Sequence, residues 1–105
     1  MSLKLKDLKI GDIFYECEYG ENATYRVVEA PVYYPKDTKN DKFYSNGWGL
    51  VGEFLGLTTL RFNVDTKGIE QTLLEEEKST TTNFFASDSV GYDLRIYTTP
   101  QYIGG

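Results

Sequence analysis

The sequence predicts an all-β fold: a small, partly open barrel of five to seven antiparallel strands, with room for one short helix. Nine Tyr and six Phe stand against a single Met, and aromatic residues suit the pleated, half-buried surface of a sheet. Ten glycines supply frequent turns. Several segments alternate apolar and polar side chains with the period of two that an extended strand requires. At 105 residues the chain is expected to form one domain, residues 1–105, with a modest core.

Leu3, Leu5, Leu8 and Ile10 are interspersed with Lys4, Lys6, Asp7 and Lys9, a pattern that suits either one helical turn or a short extended lead-in. Gly11 interrupts it with turn geometry. Ile13 to Tyr19 reads as the first strand, with Ile13, Tyr15, Cys17 and Tyr19 on an apolar face and Phe14, Glu16 and Glu18 on a mostly acidic one. A turn at Gly20-Glu21-Asn22 leads into a second strand over residues 23–30, which Pro31 should end or confine to an edge because it has no amide to donate. Residues 35–42 have no apolar member and form the clearest loop.

Asn46-Gly47 is the pair favoured in tight hairpins whose central residues both need positive φ. Trp48 to Leu55 should follow as a strand, its glycines at 49, 52 and 56 marking bends or close backbone crossings. Thr58 to Val64 is the best alternating segment, with Leu60, Phe62 and Val64 expected inward, and Asp65-Thr66-Lys67-Gly68 closes it with turn chemistry. Residues 69–78 fit helix or strand. A strand return is preferred, because Glu75 to Glu77 would sit badly at a helix C-terminus. Ser79 to Asn83 reads as a polar loop, Phe84-Phe85 as a return to apolar cover, and Leu94 to Tyr97 as the last strand, stopped by Pro100. Tyr102 and Ile103 are placed to pin the C-terminal end.

A formal net charge of −5 disfavours nucleic acid as a partner, since a grip on phosphates needs clustered Lys and Arg. Lys36, Lys39 and Lys42 are interrupted by Asp37 and Asp41 and read as a solvated loop. The chain holds one cysteine, so no internal disulfide is possible, and no apolar run has the length of a membrane span or a secretory core. The expectation is a cytoplasmic protein with no membrane partner.

Histidine is absent, which removes the usual general base and the commonest metal ligand. Cys17 reads as a buried structural thiol. Glu16 and Glu18, roughly 6 to 7 Å apart on one strand face, have a separation admissible for glycoside hydrolysis, but alternating acids on the wet face of a strand are ordinary. Asp37, Asn40 and Asp41 do not match a calcium-loop spacing. Glu75 to Glu77 reads as a solvated face, or as one that attracts a basic partner. No enzyme, catalytic residue, cofactor or metal is therefore expected.

The binding candidates are Tyr33, Tyr34, Phe43, Tyr44 and Trp48, an aromatic rim around the loop at 35–42. Tyr33 and Tyr34 must point to opposite faces of a strand, so both cannot be core. Such a rim suits a protein partner in a non-enzymatic interaction module. The alternatives are that the five rings simply cap the barrel and cover its open end, as a small domain with a limited core requires, or that they stack on a carbohydrate or a single-stranded nucleic acid; self-association through an open edge strand is a further route.

With these segments in place the chain resembles an SH3-like barrel. The start at Leu8-Lys9-Ile10-Gly11-Asp12-Ile13-Phe14-Tyr15, the second strand at Tyr25-Arg26-Val27-Val28, the centre at Gly47-Trp48-Gly49-Leu50-Val51-Gly52-Glu53 and the close at Leu94-Arg95-Ile96-Tyr97 carry the likeness. The chain is also similar to small uncharacterised proteins of tailed bacteriophages, which share the Gly-Asp-x-Phe-Tyr-Glu-Cys start and a C-terminal spacing seen here at Leu94, Tyr97, Pro100 and Tyr102. The phage resemblance implies the host cytoplasm as location and carries over no functional residue. The segment from about 66 to 90 departs from the compact barrel pattern and looks like an insertion.

Overall fold

Five strands form one antiparallel sheet: β1 (Ile13–Glu18), β2 (Glu21–Tyr34), β3 (Gly47–Asn63), β4 (Gly68–Ser87) and β5 (Ile96–Tyr97), in the order β4-β3-β2-β1-β5. The structure, a computed structural model, describes residues 4–18, 21–36, 45–87 and 96–102, with Glu18 described in its backbone alone. Among the described residues the helical content is one 3-10 turn, Leu5–Asp7, and no helix is long and apolar enough to cross a membrane. The all-β expectation holds, but the sheet is open: β4 and β5 lie at opposite edges, so no barrel closes.

The core lies on one face of the sheet. Phe14 is fully buried and touches three strands at once. Its ring stacks on Tyr25 of β2 at 5.5 Å and meets Phe84 of β4 edge-on at 5.1 Å. Tyr25 and Phe84 close the triangle at 4.9 Å. Gly52 of β3 lies beneath these rings, where an added Cβ would come within 3.0 Å of Phe14. Burying one such side chain contributes about 2–3 kcal/mol. The 3-10 turn and the residue after it supply Leu5 and Leu8 to this same cluster, and the burial that surrounds Tyr25 pushes its phenol above the usual value of 10.0, against a hydrogen bond with Thr82 that acts the other way.

The first strand inverts its expected polarity. Phe14, read as lying on the acidic face, is the centre of the core, whereas Ile13 is 40% exposed and Cys17 only half-buried. Tyr15, on the opposite face, is nevertheless buried, together with Asn22, Thr24 and Thr58. That second buried patch is polar and is stitched by hydrogen bonds. The Thr24 and Thr58 hydroxyls lie 2.6 Å apart. The Asn22 side-chain nitrogen donates to the Gln101 carbonyl at 2.9 Å, and the Gln101 amide donates to the Asn22 side-chain oxygen at 2.8 Å. Gln101 therefore anchors the C-terminal segment, a role expected of Tyr102, which is 51% exposed, and of Ile103, outside the described residues.

Strand lengths also differ from expectation, for local reasons. Pro31 does not end β2. Pairing with β3 slips between Glu29 and Val32, and a bulge of this kind is a position in which proline is tolerated. Only Asn46 of the Asn46-Gly47 pair has positive φ, at 70°. Gly47 instead begins β3, and its hydrogen faces the Ala86 carbonyl, which an added Cβ would approach to 2.4 Å. β2 and β3 are thus joined across residues 35–46, with the Asn46 amide donating to the Tyr34 carbonyl at 2.6 Å.

The two strands expected on either side of residue 56 are one strand, β3, bent at Gly56 with φ of 134°. Ser79 to Asn83, read as a loop, belongs to β4, and Thr80 to Asn83 pair with β3 from Phe54 back to Val51; the threonines are β-branched and fit a ladder. The segment read as an insertion supplies this 20-residue edge strand. Leu94 and Arg95 lie outside the described residues, which leaves Ile96–Tyr97 as the described part of the last strand.

Candidate functional site

Two surfaces at opposite ends of β3 stand out. At its start, Tyr33 of β2 and Trp48 of β3 are direct cross-strand partners. Their rings lie 5.4 Å apart, tilted by 58°. Trp48 shares the core face with Leu50, by alternation along β3, and is half-buried, while Tyr33 is 37% exposed. Val32, on the opposite face by alternation, is 50% exposed.

The five aromatics proposed from sequence thus divide. The structure brings Tyr33 and Trp48 together. Tyr34 is half-buried and paired with Gly47, on the other face from Tyr33 by alternation along the strand. Phe43 and Tyr44 lie outside the described residues, as does most of the loop at 35–42 with Asp37, Asn40 and Asp41.

At the far end, β3 and β4 continue past the start of β2 as a two-stranded arm. The last pairing of β3 with β2 is Thr58 with Asn22, whereas pairing with β4 runs on to Asn63 with Gly68. Asn63 organises the tip: its side-chain oxygen accepts the amides of Asp65 at 2.8 Å and Thr66 at 3.3 Å. Leu60, Phe62 and Val64 were expected inward. Instead Phe62 is 48% exposed and Val64 73%, with Leu60 half-buried, because among the described residues no further layer covers this part of the hairpin.

Phe62 pairs with Ile69, Leu60 with Gln71 and Thr58 with Leu73, so these residues share one face of the arm. At its root the pairing slips. The four residues from Glu76 to Ser79 oppose only Leu55, and a cleft of 330 Å³ opens there, lined in part by Leu55, Leu73, Glu75, Glu76, Glu77 and Ser79. Arg26 and Glu53 also border it and pair with each other, and the Ser79 hydroxyl donates to Glu53 at 3.0 Å. Glu75, Glu76 and Glu77 are exposed and form no ion pair among the described residues.

Sequence reasoning placed the acid run on a solvated face, but missed the apolar face beside it. The signal was the same alternation from Thr58 to Val64; what the sequence lacks is a sign that β2 begins too late to cover it. Among the described residues, no three His, Cys, Asp or Glu groups are placed to hold a metal ion. No protein-family model matches the chain, and no curated protein or solved structure matches it significantly.

Proposed function

We propose that this protein is a non-enzymatic interaction module that engages a protein partner through the surface centred on Tyr33 and Trp48. The observation that carries this reading is the cross-strand ring pair at 5.4 Å, with one ring 37% exposed. Aromatic residues that present a rigid apolar body and a polar tip are the side chains most enriched at the centres of protein interfaces. The tilt of 58° offers no flat, two-ring platform for successive bases or sugars, and the net charge of −5 opposes a phosphate backbone.

The test is the emission of Trp48, the chain's one tryptophan, titrated with purified protein fractions, oligosaccharides and single-stranded oligonucleotides. A response to a protein fraction that is lost on Tyr33→Ser supports the reading. A response to oligosaccharide alone, or one to oligonucleotide that fades with salt, assigns the surface to the corresponding ligand class and contradicts it.

A further inference from the structure

The projecting arm carries a second, separate surface. An isolated two-stranded ribbon is only marginally stable in water, yet this one exposes Phe62, Ile69 and Leu73 at 48%, 51% and 37%. Ile69, Gln71, Leu73 and Glu75 follow one another on one face by alternation. The face therefore grades from apolar at the tip to acidic at the root over about 20 Å, at roughly 3.3 Å per residue. Leu73 belongs to both parts, lying on the apolar face and lining the cleft with Glu75, Glu76 and Glu77.

We propose that this graded face docks a cationic, amphipathic segment of a protein partner, with apolar side chains on Phe62 and Ile69 and Lys or Arg side chains in the Glu75–Glu77 cleft. Charge complementarity selects this occupant. Glu75, Glu76 and Glu77 form no ion pair among the described residues, and Arg26, which borders the cleft, is paired with Glu53; a second copy, which brings the same three carboxylates and a net charge of −5, is disfavoured. Nor do the carboxylates converge on one point as a metal site demands. They suit several extended cationic side chains whose aliphatic stems lie along Leu55 and Leu73.

The test uses a short synthetic peptide of alternating Leu and Lys, and its counterpart with Glu in place of Lys, followed by amide chemical shifts of the whole protein at low and moderate salt. The Lys peptide should perturb residues 60–77 and weaken as salt rises. Its affinity should fall about tenfold when Glu75, Glu76 and Glu77 are all changed to Gln, and should also fall with Phe62→Ser. Both variants alter exposed positions, and a thermal melt verifies that each remains folded. Tyr33→Ser should leave binding unchanged, which separates this surface from the Tyr33–Trp48 pair. Equal binding of the Glu peptide, unchanged affinity in both arm variants, or shifts mapped elsewhere would overturn the proposal. So would concentration-dependent self-association through the arm without peptide, which would make a second copy the occupant.

Discussion

The same two strands, β3 and β4, build both the best-buried and the least-covered parts of this molecule. Where Leu50 pairs with Phe84, exposures are 1% and 5%; where Phe62 pairs with Ile69, they are 48% and 51%. The chemistry of the two pairs is nearly identical. The first has β2 and β1 alongside and belongs to the cluster to which the Leu5–Asp7 turn contributes Leu5, whereas the second has lost β2 as a neighbour. Burial in a sheet is thus set by the layers and strands around a residue, and alternation shows only that a strand has two faces.

This contrast can be broken or sharpened by substitution. The largest effect is expected at the core centre: Phe14→Ala removes the ring that contacts both Tyr25 and Phe84 and should cost about 4 kcal/mol in denaturant unfolding. Next is the bend that separates the two halves. Gly56 has φ of 134°, and an added Cβ would lie 2.1 Å from the Leu74 carbonyl oxygen. Gly56→Ala should therefore cost about 3 kcal/mol by the same measurement.

At the junction of core and arm, Thr58→Val breaks the hydroxyl contact with Thr24 and should lower the thermal midpoint by an amount equivalent to about 1 kcal/mol. In the arm itself, Phe62→Ser should change stability by no more than about 0.5 kcal/mol. A loss at Phe62 as large as that at Phe14 would mean that the arm is covered in solution and would erase the distinction between the halves.

Much of the fold was legible wherever local chemistry and tertiary context agreed. Gly11, with φ of 90°, makes the expected turn; residues 64–67 make another; and Phe84 returns to the core as anticipated. The acid run directed residues 69–78 towards strand rather than helix, in agreement with the structure. Local reading failed where two signals competed. Tyr15 and Cys17 outweighed Phe14 in the first strand, although one aromatic at the meeting point of three strands outranks several at the margin. Thr80 to Thr82 looked like polar filler, yet β-branched residues opposite Gly52, Glu53 and Phe54 form a regular ladder.

Of the candidate site, the opposition of Tyr33 and Tyr34 followed from strand geometry alone. The pairing of Tyr33 with Trp48 did not, because it depends on the slip in register beside Pro31. The arm was invisible for a related reason: its exposure results from β2 starting at Glu21 rather than from anything within residues 59–73.

Native-state hydrogen exchange of the isolated protein at low concentration tests the difference between the two halves most directly. Amides around Leu50, Gly52 and Phe84 should exchange only with global unfolding, and those around Leu60, Phe62 and Ile69 about a hundredfold faster or more, through local opening of the uncovered ribbon. Equal protection in both halves would contradict the account, since it would require a layer over the arm as complete as the one over the core.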